Sequence, residues 1–307
     1  MNKNGNSVQF SKILKNPAPQ YIIAEVKKIF NFSYSSQLYS RILSNFKIVV
    51  SLFEGKFPGY MKCSTEYHNL SHTLDVMLAS VRMIDGYNLS VGKMDQDLAV
   101  TLLLASLYHD TGYIKEDWDT SGTGAKYTMV HVKRSIEFIK KNSINLRLNP
   151  GEENIISNII SCTSSKQNLH DINFNNHEEE IAGAILGSAD LLGQMADRLY
   201  LEKLLFLYNE YKEAGVEGYE TEYDIIKNTA DFYSATLERL TKDLFNVHDY
   251  CRAHFRERFG IDRNLYMTAI SKNIEYLNKI IEDNSSNFRK KLKRKISYMS
   301  TLPSSVQ

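Results

Sequence analysis

The residues able to do chemistry gather in three stretches of this 307-residue chain. The first, EYHNLSHTLDV (66–76), sets His68 and His72 four apart, with Asp75 three residues on. On a continuous helix those offsets put all three on one stripe, bordering the apolar stripe of Leu70, Leu74, Met77 and Val81. The second stretch, LLLASLYHDTGY, ends an almost wholly apolar run in His109 and Asp110. An ionised aspartate is expensive there unless it is paired or bound to a cation. The third, AGAILGSADLLGQMADRLY, places Asp190 in mid-helix, where Asp is disfavoured. It lies on a stripe of small and polar residues: Gly183, Gly187, Asp190, Gln194 and Asp197.

His72, His109, Asp110 and Asp190 together make a set of two imidazoles and two carboxylates. That mixture suits Zn, Mn, Fe or Co, or Mg with fewer protein contacts. Coordination positions left open would hold a water of lowered pKa, a usable nucleophile. His68, one turn from a ligand, is placed to protonate a leaving group. The competing reading of the first stretch alone is two half-exposed histidines on a solvated helix face.

At these residues the chain resembles the HD-domain metal-dependent phosphohydrolases, whose signature order is H…HD…D. YHNLSHTLDV looks like the cyclic-nucleotide phosphodiesterase pattern YHNxxHAxDV, with Thr73 in place of the alanine, and HDTGY matches the HD pair. The resemblance covers roughly residues 60–200. It implies an all-α, multi-helix phosphodiesterase-like bundle in which His72, His109, Asp110 and Asp190 bind a divalent ion. His68 would be the general acid, and a metal-bound hydroxide would attack phosphorus. The implied reaction is hydrolysis of a phosphodiester in a small phosphoester or nucleotide, a 3′,5′-cyclic nucleotide being one candidate. Asp75 would then orient a ligand or the acid histidine.

The pattern also departs from the family. Phosphodiesterases continue the HD pair as HDxxHPGxxN, and Tyr113 stands where that histidine would be. His131 corresponds to a histidine that binds a second ion in other HD proteins, so one or two ions per chain are expected. Its alternative is a solvent-facing residue beside Lys133 and Arg134. Cys162 and Thr163 occupy the place of a further histidine in six-ligand HD proteins. A nucleotidase, a (p)ppGpp-type hydrolase, an iron oxygenase and a non-catalytic nucleotide-binding HD module remain open alternatives.

The elements that must position these residues read as helices. The chain has few breakers, 15 glycines and 5 prolines, and shows no run of strand-like alternation. Helical segments are expected at about 20–30, 36–54, 67–84, 97–108, 127–142, the 150s, 178–213 and 222–299, with a polar loop at 85–95. Residues 1–20 read as a loose leader, and 21–300 as one helical catalytic domain with its metal core at about 60–200. With 37 basic and 36 acidic residues the net charge is +1, which argues against nucleic acid as a dedicated partner. The basic run RKKLKRK (289–295) reads as a solvated helix end. No stretch has the roughly 18 apolar residues of a membrane span. Cys63, Cys162 and Cys251 form no CxxC pair, so a cytoplasmic setting is expected. Aromatics of the last third, among them Phe232, Tyr233, Tyr250 and Phe255, carry no motif that assigns them to a pocket.

Overall fold

The computed structural model describes residues 18–283 and 287–292. Most of the leader, and residues 293–295 of the basic run, therefore lie outside the described residues. Among those described there are eleven α-helices and no strand, only one isolated bridge pairing Tyr60 with Glu116. The helices are α1 (Pro19–Phe30), α2 (Ser36–Phe53), α3 (Leu70–Ser90), α4 (Gln96–Tyr108), α5 (His131–Asn142), α6 (Glu152–Ser161), α7 (His177–Met195), α8 (Tyr200–Ala214), α9 (Glu222–Glu238), α10 (Tyr250–Phe259) and α11 (Leu265–Glu282). No described helix is long and apolar enough to cross a membrane.

Helix α4 explains the arrangement. Every residue from Leu98 to Tyr108 is buried, because a helix that is apolar on all sides is stable only when covered all round. Helices α2, α3, α6 and α7 cover it. Helix α3 in turn packs on α1, α7 and α10. The C-terminal end of α4, the N-terminal end of α3 and the middle of α7 therefore meet in the interior.

The expected 127–142 helix starts at His131 and the 222–299 segment divides into α9, α10 and α11; three other boundaries differ from the sequence reading for local reasons. Helix α3 starts at Leu70, not 67, because the Asn69 side chain accepts hydrogen bonds from Ser71 N–H (2.9 Å) and His72 N–H (3.3 Å) and caps it. His68 therefore precedes the helix and does not share its stripe. At the other end α3 runs on to Ser90 through the expected loop. Gly86, read as a loop residue, is buried helix: a Cβ there would come within 1.8 Å of the Tyr250 carbonyl oxygen, so it lets α10 approach. The 178–213 segment breaks at Ala196, which caps α7 and leaves Asp197 between α7 and α8.

The aromatics of the last third divide. Phe255 is core, beside the fully buried Arg82, and Tyr250 packs edge-on to Tyr87, while Phe232 is exposed. Within the described part of the basic run, Arg289 pairs with Glu222 and Lys291 with Asp283.

A buried polar junction ties α10 to α3. Asp85 accepts from His254 Nδ1 (2.7 Å), Arg258 Nε (3.0 Å) and Arg258 Nη2 (2.7 Å). Burial works against the Asp85 carboxylate, but His254 and Arg258 outweigh it and hold its pKa below the usual 3.8. A depressed carboxylate pKa contributes stability that is complete above the unfolded value and lost as pH falls through the folded one. Asp85→Asn should thus cost about 3 kcal/mol at neutral pH, the low end for breaking a buried pair, since Arg258 keeps some solvent. Denaturant titrations should show the gap between variant and wild type closing below pH 3.8. A gap that is constant with pH would contradict this account of the junction.

Candidate metal centre

The first residues of α3, the last turn of α4 and the middle of α7 bring four of the expected ligands together. His72 Nε2 lies 3.3 Å from Asp110 Oδ2 and 3.1 Å from Asp190 Oδ1. His109 Nε2 lies 3.3 Å from Asp110 Oδ2, 3.8 Å from Asp190 Oδ1 and 3.4 Å from His72 Nε2. Atoms about 2.1 Å from one central ion stand roughly 3.0–3.4 Å from each other, so the spacings among His72, His109 and Asp110 fit a common cation, with Asp190 beside the two histidines. His72, His109 and Asp110 are buried, and Asp190 keeps 17% of its side chain exposed. His68 and His131 beside the centre keep some exposure as well, so solvent reaches its edge along these side chains.

The chemistry of the donors fits a cation as well. His109 Nδ1–H donates to the Ser106 carbonyl (2.8 Å), which leaves the lone pair of Nε2 turned to the cluster. Asp110 Oδ2 is buried with no hydrogen bond directed at it. Burial alone would lower the His72 pKa, yet Asp110 and Asp190 override it and push it up to about 10. The His109 pKa is raised in the same way, mainly by Asp110 against burial. Burial opposes charge on Asp110, but His109 and His72 hold its pKa well below the usual range. Two buried carboxylates thus demand positive charge between them, and the buried His72–His109–Asp110 group could hold a metal ion.

His68 stands beside this group rather than in it. Its ring centre is 5.9 Å from that of His72, and its side chain is 15% exposed. The residue that fixes it is Glu210 of α8, which the sequence reading missed. Glu210 Oε2 accepts from His68 Nδ1 (2.5 Å), and Oε1 accepts from Tyr67 N–H (2.7 Å) and His68 N–H (3.4 Å). With Nδ1 engaged, the other ring nitrogen is left for chemistry. The signal in the sequence was a glutamate one turn after Leu207 on a buried helix face, faint because a surface glutamate looks the same.

Asp75 is hydrogen-bonded to neither of the histidines it was expected to orient, and no ion pair joins it to His68 or His72. It lies in the field of Asp197, Lys203, His72 and Arg82, and burial first, then Asp197, pushes its carboxyl up to about 7. The step from His68 to Asp75 fails because His68 precedes α3.

Tyr113 fills the place of the missing histidine with a ring packed on both neighbouring histidines. Its ring stacks on His68 (4.3 Å, 11°) and on His131 (4.6 Å, 19°). His131 opens α5 and faces the cluster: Nδ1 engages the Thr128 carbonyl (2.6 Å), and Nε2 is 3.8 Å from Asp110 Oδ1. Gly112 allows this, since a Cβ there would come within 2.0 Å of the His131 carbonyl oxygen. Asp110 thus presents Oδ2 to the four-atom cluster and Oδ1 to His131. Among the described residues no further carboxylate, imidazole or thiolate joins His131 and Asp110 to complete a second group. Cys162 Sγ contacts the Asn158 carbonyl, and burial pushes its pKa up to about 12. Thr163 Oγ1 donates to Ile160. His170 and His177 are exposed around Glu180, and His248 and His254 are buried elsewhere.

A family model described as Npun_R2479-like matches residues 117–253. The matched segment includes His131, Asp190 and Glu210, while His68, His72, His109 and Asp110 precede it. No curated protein matches this chain.

Proposed function

We propose that this protein is a metal-dependent phosphohydrolase that cleaves a phosphodiester, with a 3′,5′-cyclic nucleotide as the leading substrate candidate. The observation that carries the reading is the convergence of His72 Nε2, His109 Nε2, Asp110 Oδ2 and Asp190 Oδ1 beside a histidine clamped by a buried glutamate. A divalent cation bound there supplies Lewis acidity toward a phosphoryl oxygen and acidifies a neighbouring water.

The chain's own residues have separate tasks. His109, fixed by Ser106, and His72, set by the Asn69 cap, present nitrogen ligands without having to reorganise. Asp110 and Asp190 supply the negative charge. His68 holds a proton at its outer nitrogen for the leaving oxygen, and Glu210 keeps that ring in place. Burial of the cluster excludes bulk water and strengthens each of these interactions.

The direct test is elemental analysis of the purified protein, followed by hydrolysis of bis-p-nitrophenyl phosphate and of 3′,5′-cyclic nucleotides with added Mn²⁺. The reading expects at least one ion per chain and metal-dependent turnover. Bound metal without turnover of any phosphoester would sink the hydrolase and leave the nucleotide-binding module. A chain that takes up no metal would sink the metal centre itself.

A further inference from the structure

The chain becomes irregular just beyond α9. Arg239–Asp243 form a π-helical turn, and two non-glycine residues follow in the left-handed region, Phe245 (φ 52°) and Asn246 (φ 57°). Each left-handed residue costs on the order of 1–2 kcal/mol, and π turns gather at functional sites. The segment is over-determined by its packing: Leu240 and Leu244 are fully buried, and backbone bonds join Leu244 N–H to Arg239 O and Asn246 N–H to Leu240 O.

This strained turn brings Arg239 onto the 162–164 turn, near enough to α7 for Asp190 to act on its charge. Arg239 Nη2 donates to the carbonyls of Cys162 (2.8 Å) and Ser164 (2.8 Å). The Cys162 carbonyl rests on Gly187, where a Cβ would be only 2.7 Å from it and 3.1 Å from Leu244 Cδ2. Gly187 stands one turn before Asp190 on the same stripe of α7, and the Asp190 side chain is partly exposed. Both hydrogen bonds of the guanidinium come from a single nitrogen. Among the described residues no carboxylate lies within ion-pair distance of it; Asp243, on its own turn, and Asp190 act on it only at longer range. Nε and Nη1 are left with no protein acceptor. Half-burying a charge in this way is unfavourable until an anion meets it, and a charged phosphate oxygen is such a partner for any cationic side chain placed there.

We propose that Arg239 binds a non-reacting oxygen of the substrate's phosphate and holds that phosphate against the His72, His109, Asp110 and Asp190 cluster. The inference rests on the phosphohydrolase reading and narrows its substrates to phosphoesters that keep a negative charge. A neutral phosphotriester gains nothing from this arginine.

The probe is inorganic phosphate, titrated calorimetrically into the Mn²⁺-loaded full chain. A charge-assisted hydrogen bond is worth about 1.5–3 kcal/mol, so Arg239→Gln should weaken phosphate about 10- to 100-fold, with the metal count unchanged. Arg239→Lys keeps the charge and loses the paired carbonyl grip, so it should stay near wild-type affinity. Unchanged phosphate affinity in Arg239→Gln, with phosphate bound and hydrolysis intact in the wild type, overturns the inference and leaves the hydrolase reading standing. Equal weakening in both variants also overturns it and makes Arg239 a clamp on the Cys162–Ser164 turn. If Arg239→Gln fails to fold, Arg239→Lys carries the test: affinity near wild type supports the inference, and loss as large as that expected for Gln overturns it. No phosphate binding by the metal-loaded wild type overturns this inference and the phosphohydrolase reading together.

Discussion

Asp110→Ala should leave a folded chain that neither retains metal nor turns over substrate. Asp110 is the one residue that faces both sides, with Oδ2 3.3 Å from His72 and His109 and Oδ1 3.8 Å from His131. Losing a partner outside the coordination sphere already costs about 10- to 100-fold in metal affinity, and loss of a ligand costs more. The effect should also be visible without any assay of activity. An ion that binds only the folded state stabilises it by about 2.7 kcal/mol at one hundred times its dissociation constant, so Mn²⁺ or Zn²⁺ should raise the melting temperature of the wild type. Asp110→Ala should show no such rise. A variant that keeps a full equivalent of metal by elemental analysis would remove Asp110 from the centre.

His68→Gln should show the opposite pattern: metal retained, rate lost. A positioned general acid contributes about 10²- to 10⁴-fold, and the loss should be largest for alkoxide leaving groups, which need the proton. p-Nitrophenyl esters, whose leaving group departs as an anion, should lose much less. Glu210→Gln keeps the shape of the clamp but removes its charge, and should act through the same histidine. The double variant should then be little worse than His68→Gln alone, because residues that act as a unit are not additive. Independent, multiplying losses would show that Glu210 serves the Tyr67–His68 backbone and not the ring. Full activity in His68→Gln on an alkyl phosphodiester would end its assignment as acid.

Much of the centre was legible because its residues violate the expectations for their surroundings. His109 and Asp110 end an apolar helix, and Asp190 sits mid-helix among small residues; each is costly unless something meets it. Covalent spacing alone could not say that His68 falls outside α3, because Asn69 can equally well be an interior residue or a cap. The structure selects the cap, and with it Glu210 takes the place given to Asp75. Gly86 misled for a related reason: a glycine in a polar stretch marks a loop or a close helix contact, and only the position of Tyr250 distinguishes them.

The sequence by itself determined the helical class and the burial of α4, which follow from periodicity, and it singled out His72, His109, Asp110 and Asp190 as residues that come together, Asp110 and Asp190 through the cost of burying charge. The tertiary structure decided the rest. Glu210 meets His68 across 142 residues of chain, and Tyr113 stacks on both His68 and His131. Arg239 reaches Cys162 across 77. Pairings at such separations leave no periodic trace, because they are set by how helices pack and not by the residues on either side of them.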